Sequence, residues 1–403
     1  MKILYIATEI PYPPNNGVKI PLYHSMRLMD QAGHEIALAV LSEDIANSES
    51  DLKGLRTMVK ISDDLVVQLP KRKRWEVMLN SVISQRMYFL ERYNSSEFRN
   101  ELSLLIELFK PDAIHFDLIT MSGYLDCKNQ ESKAIASIND SYSLFTENNI
   151  KYGLLGMKER LFRRFQLIQA RSYEAKVYPR FDCVHTMTEF DASYLKCLNA
   201  KIQTVVIPNG VEESVLTQGS YDFSRKDLIY VGSLTGKYMR WLILFIQNCW
   251  PTITDINPLL KLRLVGKVTD EAKELVDLVG SVQGVVFEGF VPDLNVVYRE
   301  CGIALVPIKQ SCGLINKLVE AMGAGLAVVA PSLSYTGVPS AENYKNAVMC
   351  DSENEITEAI CKLLEDDLLR EKIQKSAHEL VKRDYRWDDR LRLYDKMYQI
   401  SED

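Results

Sequence analysis

Three polar residues stand close together in a short helical pattern, in the stretch GLINKLVEAMGAGLAVVAP that begins at Gly313. They are Asn316, Lys317 and Glu320, and the packing of a core requires none of them. The amides that open a helix have no partner inside it, and the helix dipole makes that end positive. If Gly313 and Leu314 begin the helix, the pattern predicts a site for an anion such as a phosphate.

Lys317 and Glu320 are three residues apart, so both can lie on one helix face. A cation near a helix start is unfavourable for the dipole, and a diphosphate would supply the negative partner that Lys317 then needs. Glu320 offers two acceptor oxygens, which suit a pair of ribose hydroxyls. The spacing thus predicts a site for a nucleoside diphosphate. A surface Lys–Glu pair on a helix ended by Gly323 and Gly325 is an alternative that the spacing alone leaves open.

The elements that must position these residues are predicted strands and helices that alternate along the chain. Residues 1–7, MKILYIA, are a short apolar run, typical of a parallel strand that is buried on both faces. A loop rich in Pro and Asn, a helical pattern that ends at Gly33, and a second apolar run complete a βαβ unit. The alternation restarts at residues 227–234, DLIYVGSL, after the Pro-Asn-Gly at 208–210. The sequence therefore predicts an α/β protein with two doubly wound domains.

Three strands of the second half end in glycine, at Gly232, Gly266 and Gly289. Ligands of doubly wound sheets bind at the carboxyl ends of the strands, and glycine lets a ligand approach the backbone closely. A tight turn would explain any one of the three. Their number favours a ligand site.

Composition limits the classes of protein to consider. A chain of 403 residues with 47% hydrophobic and 25% charged residues is an ordinary globular protein with room for two domains. The formal net charge of −6 argues against a general nucleic-acid binder. Eight cysteines without CxxC pairs or metal-ligand spacing indicate reduced thiols and predict no metal site. No signal-peptide pattern and no membrane-spanning apolar window are visible, so we expect a cytoplasmic location.

The motif G-x-x-x-K-x-x-E-A-M-x-x-G, from Gly313 to Gly325, resembles the nucleotide-sugar motif of retaining glycosyltransferases with the GT-B fold, in the large group called family 4. The segments IPNGV, YVGSL, LRLVGK and GVVFEGFVPD resemble further landmarks of that family, in its usual order. The loop before the first helix and the QAGHEI stretch resemble the start of its acceptor domain. The resemblance covers nearly the whole chain.

The resemblance implies two Rossmann-like domains that face each other across a cleft. Residues 1–206 would bind the acceptor, and residues 207–385 would bind the nucleotide-sugar. A C-terminal helix within residues 386–403 would cross back to the first domain.

The activity that the resemblance implies is transfer of a sugar, with retention of configuration, from a nucleotide-sugar to a glycan or lipid-linked acceptor. A UDP-sugar is favoured as the donor and a GDP-sugar comes second. No metal or other cofactor is expected, because a helix dipole and basic side chains neutralise the diphosphate in this family. The biosynthesis of a bacterial surface polysaccharide is the setting that fits best.

Roles carry over residue by residue. Lys317 would contact the phosphates or the sugar, and Glu320 would bind the ribose. Gly17 would lie near the diphosphate or the transferred sugar. The other positions expected to contact the donor are Ser233, Lys237, Gly266, Gly289, Phe290, Val291, Gly313, Leu314, Ile315 and Asn316, of which Gly289, Phe290 and Val291 would border the base.

Two positions depart from the family pattern. Cys312 stands where the family often has an acidic residue, and Ser233 stands where it usually has an arginine. Lys237 or Arg240 could supply the missing cation, and we favour Lys237 because it is nearer the strand end. These departures leave the donor sugar open.

In the first domain, His115 and Asp117 follow one another on a predicted strand with one residue between them, so strand alternation turns both to the same side. The family often places a His or an Asp here, against the transferred sugar. We favour Asp117 as the catalytic candidate because it is nearer the carboxyl end of the strand. A histidine that merely caps the strand end is the alternative for His115.

Two segments of the first half are rich in basic residues. The first opens with Lys71, Arg72, Lys73 and Arg74, and the second spans residues 158–180, from Lys158 to Arg180. Both mix basic with apolar residues, a composition that suits contact with anionic lipid headgroups or a lipid-linked acceptor. We therefore expect peripheral membrane contact, with a solvated charged face as the alternative.

Two competing functions remain. A non-hydrolysing nucleotide-sugar epimerase would need several carboxylates and histidines in one cleft, and the chain has only five histidines. A non-catalytic donor-binding or scaffold subunit is the other competitor, motivated by Cys312 and Ser233.

Overall fold

The structure, a computed structural model, describes residues 1–84, 86–153, 155–217, 222, 224–234, 236–268, 272–308 and 313–399. Residue contacts divide the chain into two units. Unit 1 is built from Met1–Lys151, Leu155–Pro208 and a C-terminal segment that starts at Asp388. Unit 2 consists mainly of Asn209–Trp387.

Unit 1 contains a sheet of seven parallel strands. They are β1 (Lys2–Ala7), β2 (Glu35–Ser42), β3 (Ile61–Gln68), β4 (Ala113–Asp117), β5 (Lys133–Asn139), β6 (Cys183–Thr186) and β7 (Thr204–Val206). Their order in the sheet is β3-β2-β1-β4-β5-β6-β7. The apolar run at the start of the chain forms the interior strand β1, whose residues Ile3 to Ala7 are fully buried. Because helices cover both faces of a parallel sheet, this strand is apolar throughout.

Among the described residues, the α-helices that precede β7 lie in unit 1, apart from the last residue of α7. They are α1 (Lys19–Gln31), α2 (Ile45–Leu55), α3 (Arg74–Ile83), α4 (Tyr88–Arg92), α5 (Ser96–Phe109), α6 (Leu118–Met121), α7 (Tyr142–Tyr152), α8 (Met157–Val177) and α9 (Glu189–Leu198). The side chain of Asn16 accepts hydrogen bonds from the amides of Val18 and Lys19, at 2.9 and 2.8 Å. These bonds satisfy amides that α1 leaves without partners, so they fix where that helix begins.

Unit 2 contains a second parallel sheet, of six strands. They are β8 (Asp227–Val231), β9 (Leu262–Val265), β10 (Val285–Gly289), β11 (Cys301–Leu305), β12 (Ala327–Ala330) and β13 (Val348–Met349). Their order is β10-β9-β8-β11-β12-β13. The helices of this unit are α10 (Glu213–Thr217), α11 (Gly236–Asn248), α12 (Trp250–Ile256), α13 (Lys273–Ser281), α14 (Leu294–Tyr298), α15 (Asn316–Gly323), α16 (Glu353–Glu365) and α17 (Asp367–Asp384).

The last helix of the chain, α18 (Leu391–Gln399), packs on α1 and so returns to unit 1. Its buried face carries Tyr394, Met397 and Tyr398. His34 Nε2 lies 2.9 Å from a carboxylate oxygen of Asp395 and joins the loop after α1 to this helix. A helix that closes one domain from the far end of the chain confirms the sequence-based expectation.

Two doubly wound sheets with helices on their faces confirm the predicted fold class. No helix within the described residues is long and apolar enough to cross a membrane.

Candidate functional site

The carboxyl edge of the second sheet is formed by the three glycines that end neighbouring strands. The amide of Gly232 donates to the carbonyl of Val265 at 2.9 Å, and the amide of Gly266 donates to the carbonyl of Gly289 at 2.8 Å. A Cβ atom at Gly266 would collide with the carbonyl oxygen of Gly232. The structure therefore brings the three glycines together, and glycine at 266 is required by the strand packing itself.

The helix expected to begin at Gly313 and Leu314 begins later, at Asn316, which corrects that expectation. Gly313 has a φ of 71°, a left-handed conformation that cannot continue into a right-handed helix. Ile315 is the N-cap and offers no side-chain hydrogen bond. The amides without a helical partner are thus those at the start of α15, on Asn316 and Lys317, rather than those of Gly313 and Leu314.

The side chain of Lys317 reaches from α15 to the end of β8. A Cβ atom at Gly232 would lie 2.6 Å from Lys317 Nζ and 2.8 Å from the hydroxyl oxygen of Tyr230. Burial lowers the pKa of Lys317, although the nearby carboxylate of Glu320 opposes this shift. Among the residues that the structure describes, the ammonium has no hydrogen bond or ion pair, so it is a partly desolvated cation against strand-end backbone.

Glu320 is half-buried one turn further along the same helix. Burial raises the pKa of its carboxyl group, the charge of Lys317 lowers it, and the charge of Glu212 raises it further. The buried hydroxyl of Tyr298 has no hydrogen-bond partner in the described part of the chain, and Glu320 contributes to the raised pKa of this tyrosine. A carboxylate, an ammonium and a tyrosine hydroxyl therefore lie within electrostatic reach of one another.

Asn209 adds a group that the sequence did not assign to the site. Its side-chain amide donates to Asn316 Oδ1 at 2.9 Å, across 107 residues of chain. Asn209 is buried, and its own Oδ1 has no partner among the described residues. The sequence signal at this position is the Pro-Asn-Gly that follows β7. It predicts a turn, but it does not predict the contact between Asn209 and Asn316.

The remaining residues of unit 2 that were predicted to contact the donor differ in their exposure. Ser233 follows Gly232, is exposed, and accepts a hydrogen bond from the Tyr230 hydroxyl on its carbonyl at 3.0 Å. Lys237 lies on α11, and its side chain is outside the described part of the structure, as is all of Cys312. Phe290 is 70% exposed just after β10, with Val291 half-buried beside it. An exposed aromatic ring at this edge is free to stack on a planar base.

The sheet order sets the spacing of these groups. Two strand intervals separate β10 from β8, which corresponds to about 10 Å. Phe290 lies at the β10 end of this edge, and Lys317 lies next to β8. An extended ligand with a base at one end and an anion at the other suits this arrangement.

Gly17, His115 and Asp117 belong to unit 1. Gly17 lies in the exposed loop before α1, and no heavy atom lies within 4 Å of a Cβ built there. Open space at this position would let another molecule approach the backbone.

His115 is buried under α18. Its Nδ1 lies 2.7 Å from the hydroxyl oxygen of Tyr398, which also lies 3.0 Å from the hydroxyl of Tyr5 and 3.3 Å from that of Ser25. Burial lowers the pKa of His115 to about 3, and His185 contributes to this shift. These contacts link His115 to buried side chains of α18, β1 and α1.

Asp117 ends β4 and is buried, with Oδ2 lacking a partner among the described residues. Burial raises the pKa of its carboxyl group well above the usual range, and the negative charge of Glu9 adds to this. The following residue, Leu118, has a φ of 60°. A buried carboxyl group with an unused oxygen, held next to a strained residue, can donate or accept one further hydrogen bond.

No group of three or more His, Cys, Asp or Glu side chains within the described residues could hold a metal ion. At the glycine edge of unit 2, the ammonium of Lys317 on α15 is a charged group that lies against Gly232.

Comparison with known proteins shows what this chain is similar to. Residues 225–366 match the family model described as Glycosyl transferases group 1. Sucrose-phosphate synthase from Thermosynechococcus elongatus superimposes with a TM-score of 0.71 and 15% identity, over 99% of this chain and 98% of that chain. HepE of Anabaena, solved in complex with UDP and glucose, superimposes with a TM-score of 0.70 and 14% identity, over 99% of each chain.

A sequence relative is also found. An uncharacterized 44.6 kDa protein in the cps region of Klebsiella pneumoniae is 19% identical over 83% of this chain and 84% of the relative.

Two doubly wound sheets, with a polar helix start at the glycine-lined edge of the second, give the chain the same GT-B fold as these solved structures. Residues 225–366 of the second unit match a glycosyltransferase family, so the chain is a glycosyltransferase.

Proposed function

We propose that this glycosyltransferase transfers a sugar, with retention of configuration, from a nucleotide-sugar to a glycan or lipid-linked acceptor. A UDP-sugar is the favoured donor, and a GDP-sugar is the second candidate. The observation that carries the proposal is Lys317 Nζ, a desolvated ammonium that lies against Gly232 at the end of β8. The diphosphate of a nucleotide-sugar supplies the anion that this cation lacks.

Unit 2 supplies the proposed donor contacts. The amides of Asn316 and Lys317 and the Lys317 ammonium bind the diphosphate, and the carboxylate of Glu320 accepts hydrogen bonds from the ribose hydroxyls. Phe290 and Val291 border the base at the other end of the edge. Gly266 and Ser233 line the path between them, with Lys237 as the further cation. Gly313, Leu314 and Ile315 hold the loop that sets the start of α15.

The proposed reaction breaks the bond between the anomeric carbon and the diphosphate oxygen. A bond from the acceptor oxygen to the same face of that carbon forms, and the acceptor proton passes to the departing phosphate oxygen. Lys317 and the helix start stabilise the charge that develops on the diphosphate, which is the role a metal ion has in other transferases. The proposal therefore needs no metal.

Unit 1 is proposed to bind the acceptor, with Asp117 as its catalytic candidate. The unused Oδ2 of Asp117 supports a hydrogen bond to a sugar hydroxyl. Gly17 is proposed to lie near the transferred sugar. His115 remains a prediction, with its hydrogen bond to Tyr398 favouring a positioning role.

Two comparisons support the choice of substrates. HepE was solved with UDP and glucose, which favours a UDP-sugar as donor. The Klebsiella pneumoniae relative comes from a cps region, which fits the biosynthesis of a bacterial surface polysaccharide. A peripheral location at a membrane, through the basic segments that include Lys71, Arg74, Lys158 and Arg180, belongs to the same proposal.

A thermal unfolding panel with UDP, GDP and CMP tests the donor assignment. A ligand at 100 times its Kd stabilises a fold by about 2.7 kcal/mol, so we expect UDP to raise the Tm most and CMP least. Release of UDP from a UDP-sugar that depends on added glycan acceptor would separate an enzyme from a scaffold subunit. Equal Tm values with and without every nucleotide would contradict the proposed function.

A further inference from the structure

Helix α3 exposes an unusual amount of apolar surface. Trp75, Met78, Leu79, Val82 and Ile83 are all exposed, and Ile83 reaches 72%. Their spacing of three and four residues places them on one face of the helix. The opposite face is the buried one, where Val77 and Ser81 pack against unit 1. The apolar face of this amphipathic helix thus points away from the core.

The first half of α8 repeats this feature. Met157, Leu161, Phe162, Phe165 and Ile168 are exposed, with Met157 at 89% and Leu161 at 70%. Monomeric soluble proteins rarely leave contiguous apolar surface of this kind uncovered.

The two helices lie on the same side of unit 1. The chain leaves α3 and enters α4 through Met87, and Met87 and Leu90 pack on Ala170 in the middle of α8. We call the exposed apolar residues of α3 and of the first half of α8 the apolar surface.

The apolar surface lies toward the carboxyl edge of the unit 1 sheet. Helix α3 follows the carboxyl end of β3, and α8 returns the chain toward the amino end of β6. With 21 residues, α8 is about 31 Å long, whereas the seven residues of β5 span about 23 Å. The start of α8 therefore projects beyond the strands on the side where ligands of such sheets bind.

Basic side chains accompany the apolar surface in a chain that is acidic overall. Helix α8 carries six Lys or Arg residues and two Glu, of which Glu174 is buried, while the net charge of the chain is −6. Lys158, Arg160 and Arg164 are exposed among its apolar residues, and Lys73 and Arg74 are exposed where α3 starts. A second copy of the chain would bring like charges together at this surface, whereas an anionic bilayer brings opposite ones.

We infer that the apolar surface docks on an anionic lipid bilayer, with the apolar side chains in the headgroup region and the lysines and arginines against lipid phosphates. Docking would hold the carboxyl edge of unit 1 at the membrane, where a lipid-linked acceptor resides. The inference deepens the peripheral membrane location of the proposed function, and its acceptor part rests on the proposed transfer of sugar to a lipid-linked acceptor.

Co-sedimentation of the full chain with vesicles tests the inference. We expect binding to vesicles of phosphatidylcholine mixed with phosphatidylglycerol, and at least about fivefold weaker binding to phosphatidylcholine alone or at high salt. The double variant Leu161→Asp/Phe165→Asp should bind the mixed vesicles at least about tenfold more weakly. These side chains are exposed, so the variant should keep the thermal stability of the wild type.

Matched controls distinguish binding through the apolar surface from non-specific adsorption to vesicles. Leu368→Asp, at a residue that is 80% exposed in unit 2, and Lys345→Glu, at another exposed residue of unit 2, should bind vesicles as the wild type does. Failure of the wild type to bind mixed vesicles, or equal binding by the double variant, overturns the inference. A dimer in analytical ultracentrifugation that the double variant abolishes, without vesicle binding, would assign the surface to a second copy and also overturn it.

The two proposals fail separately. UDP should stabilise the double variant and the wild type equally. Vesicle binding without any nucleotide binding would leave the docking in place and remove the proposed use of a nucleotide-sugar.

Discussion

The candidate residues of the two units lie in different surroundings. In unit 2, Lys317 and Glu320 lie on the first turn and a half of α15, against strand ends made of backbone. In unit 1, His115 lies under α18, where Tyr398 already binds it. A polar side chain at a helix start keeps its hydrogen-bonding capacity for a ligand, whereas the same type of group beneath a helix is used by the fold. Substitution of Lys317 should therefore affect ligand binding, whereas loss of the Tyr398 contact with His115 should affect stability.

The largest effect is expected for Lys317→Met. Loss of a charge-assisted contact to a phosphate costs about 2 to 3 kcal/mol, so the Kd for UDP should rise about 100-fold. The stability of the protein without ligand should not fall, because the variant removes an ammonium that burial already disfavours. Calorimetric titration with UDP measures the first effect and urea unfolding the second.

Lys345→Met is the matched control, since Lys345 is an exposed lysine of the same unit that pairs with Glu342. Its Kd for UDP should equal that of the wild type. A Lys317→Met protein that is folded and binds UDP normally would remove the distinction between the units.

A smaller effect on binding is expected for Glu320→Gln. The amide keeps one acceptor oxygen but loses the charge, so the Kd for UDP should rise about tenfold. Titration with the 2′,3′-dideoxy analogue of UDP sharpens this expectation, because the wild type and the variant should bind it with equal affinity. A variant that discriminates UDP from this analogue as strongly as the wild type does would place the ribose elsewhere.

In unit 1, Tyr398→Phe should lower stability and leave UDP binding unchanged. The variant removes the hydroxyl that contacts His115, Tyr5 and Ser25, at a cost of about 1 to 2 kcal/mol in the free energy of unfolding. Urea unfolding measures this cost, and Tyr88→Phe at the half-buried start of α4 serves as the control. An unchanged unfolding midpoint would show that the buried network contributes nothing to the fold.

The smallest effect concerns pH. Burial lowers the pKa of His185 to about 4, although its hydrogen bond to the carbonyl of Ile207 opposes the shift. Because the unfolded chain takes up a proton near pH 6.5, this histidine makes stability fall as pH drops from about 6.5 toward about 4. Between about pH 7.5 and 5.5 the loss from this one group is about 1 kcal/mol. His185→Gln should reduce the measured loss by that amount, and an identical pH dependence in wild type and variant would refute this assignment.

Much of this organisation follows from the sequence, because the apolar runs of parallel strands and the glycines at their ends are local signals. The sequence-based prediction placed the start of α15 too early, because residue types alone do not show that Gly313 adopts a positive φ. Asn209 and Tyr298 were missed because their neighbours are distant in sequence, as the 107-residue separation of Asn209 from Asn316 illustrates. The position of His115 under α18 depends on a contact across 283 residues, which no local pattern records.

The prediction of membrane contact likewise depends partly on the sequence and partly on the fold. The basic residues of α3 and α8 were visible in the sequence, but the exposure of Leu161, Phe165 and Ile83 was not. An apolar residue at helical spacing normally indicates a core contact, and only the fold distinguishes the two faces of these helices.

Hydrogen exchange of the full chain with and without UDP tests the central claim most directly. The account predicts that UDP slows exchange at the backbone amides of Asn316 and Lys317, and that uridine, which has no diphosphate, does not. Tight binding of UDP with unchanged exchange at these two amides would contradict it.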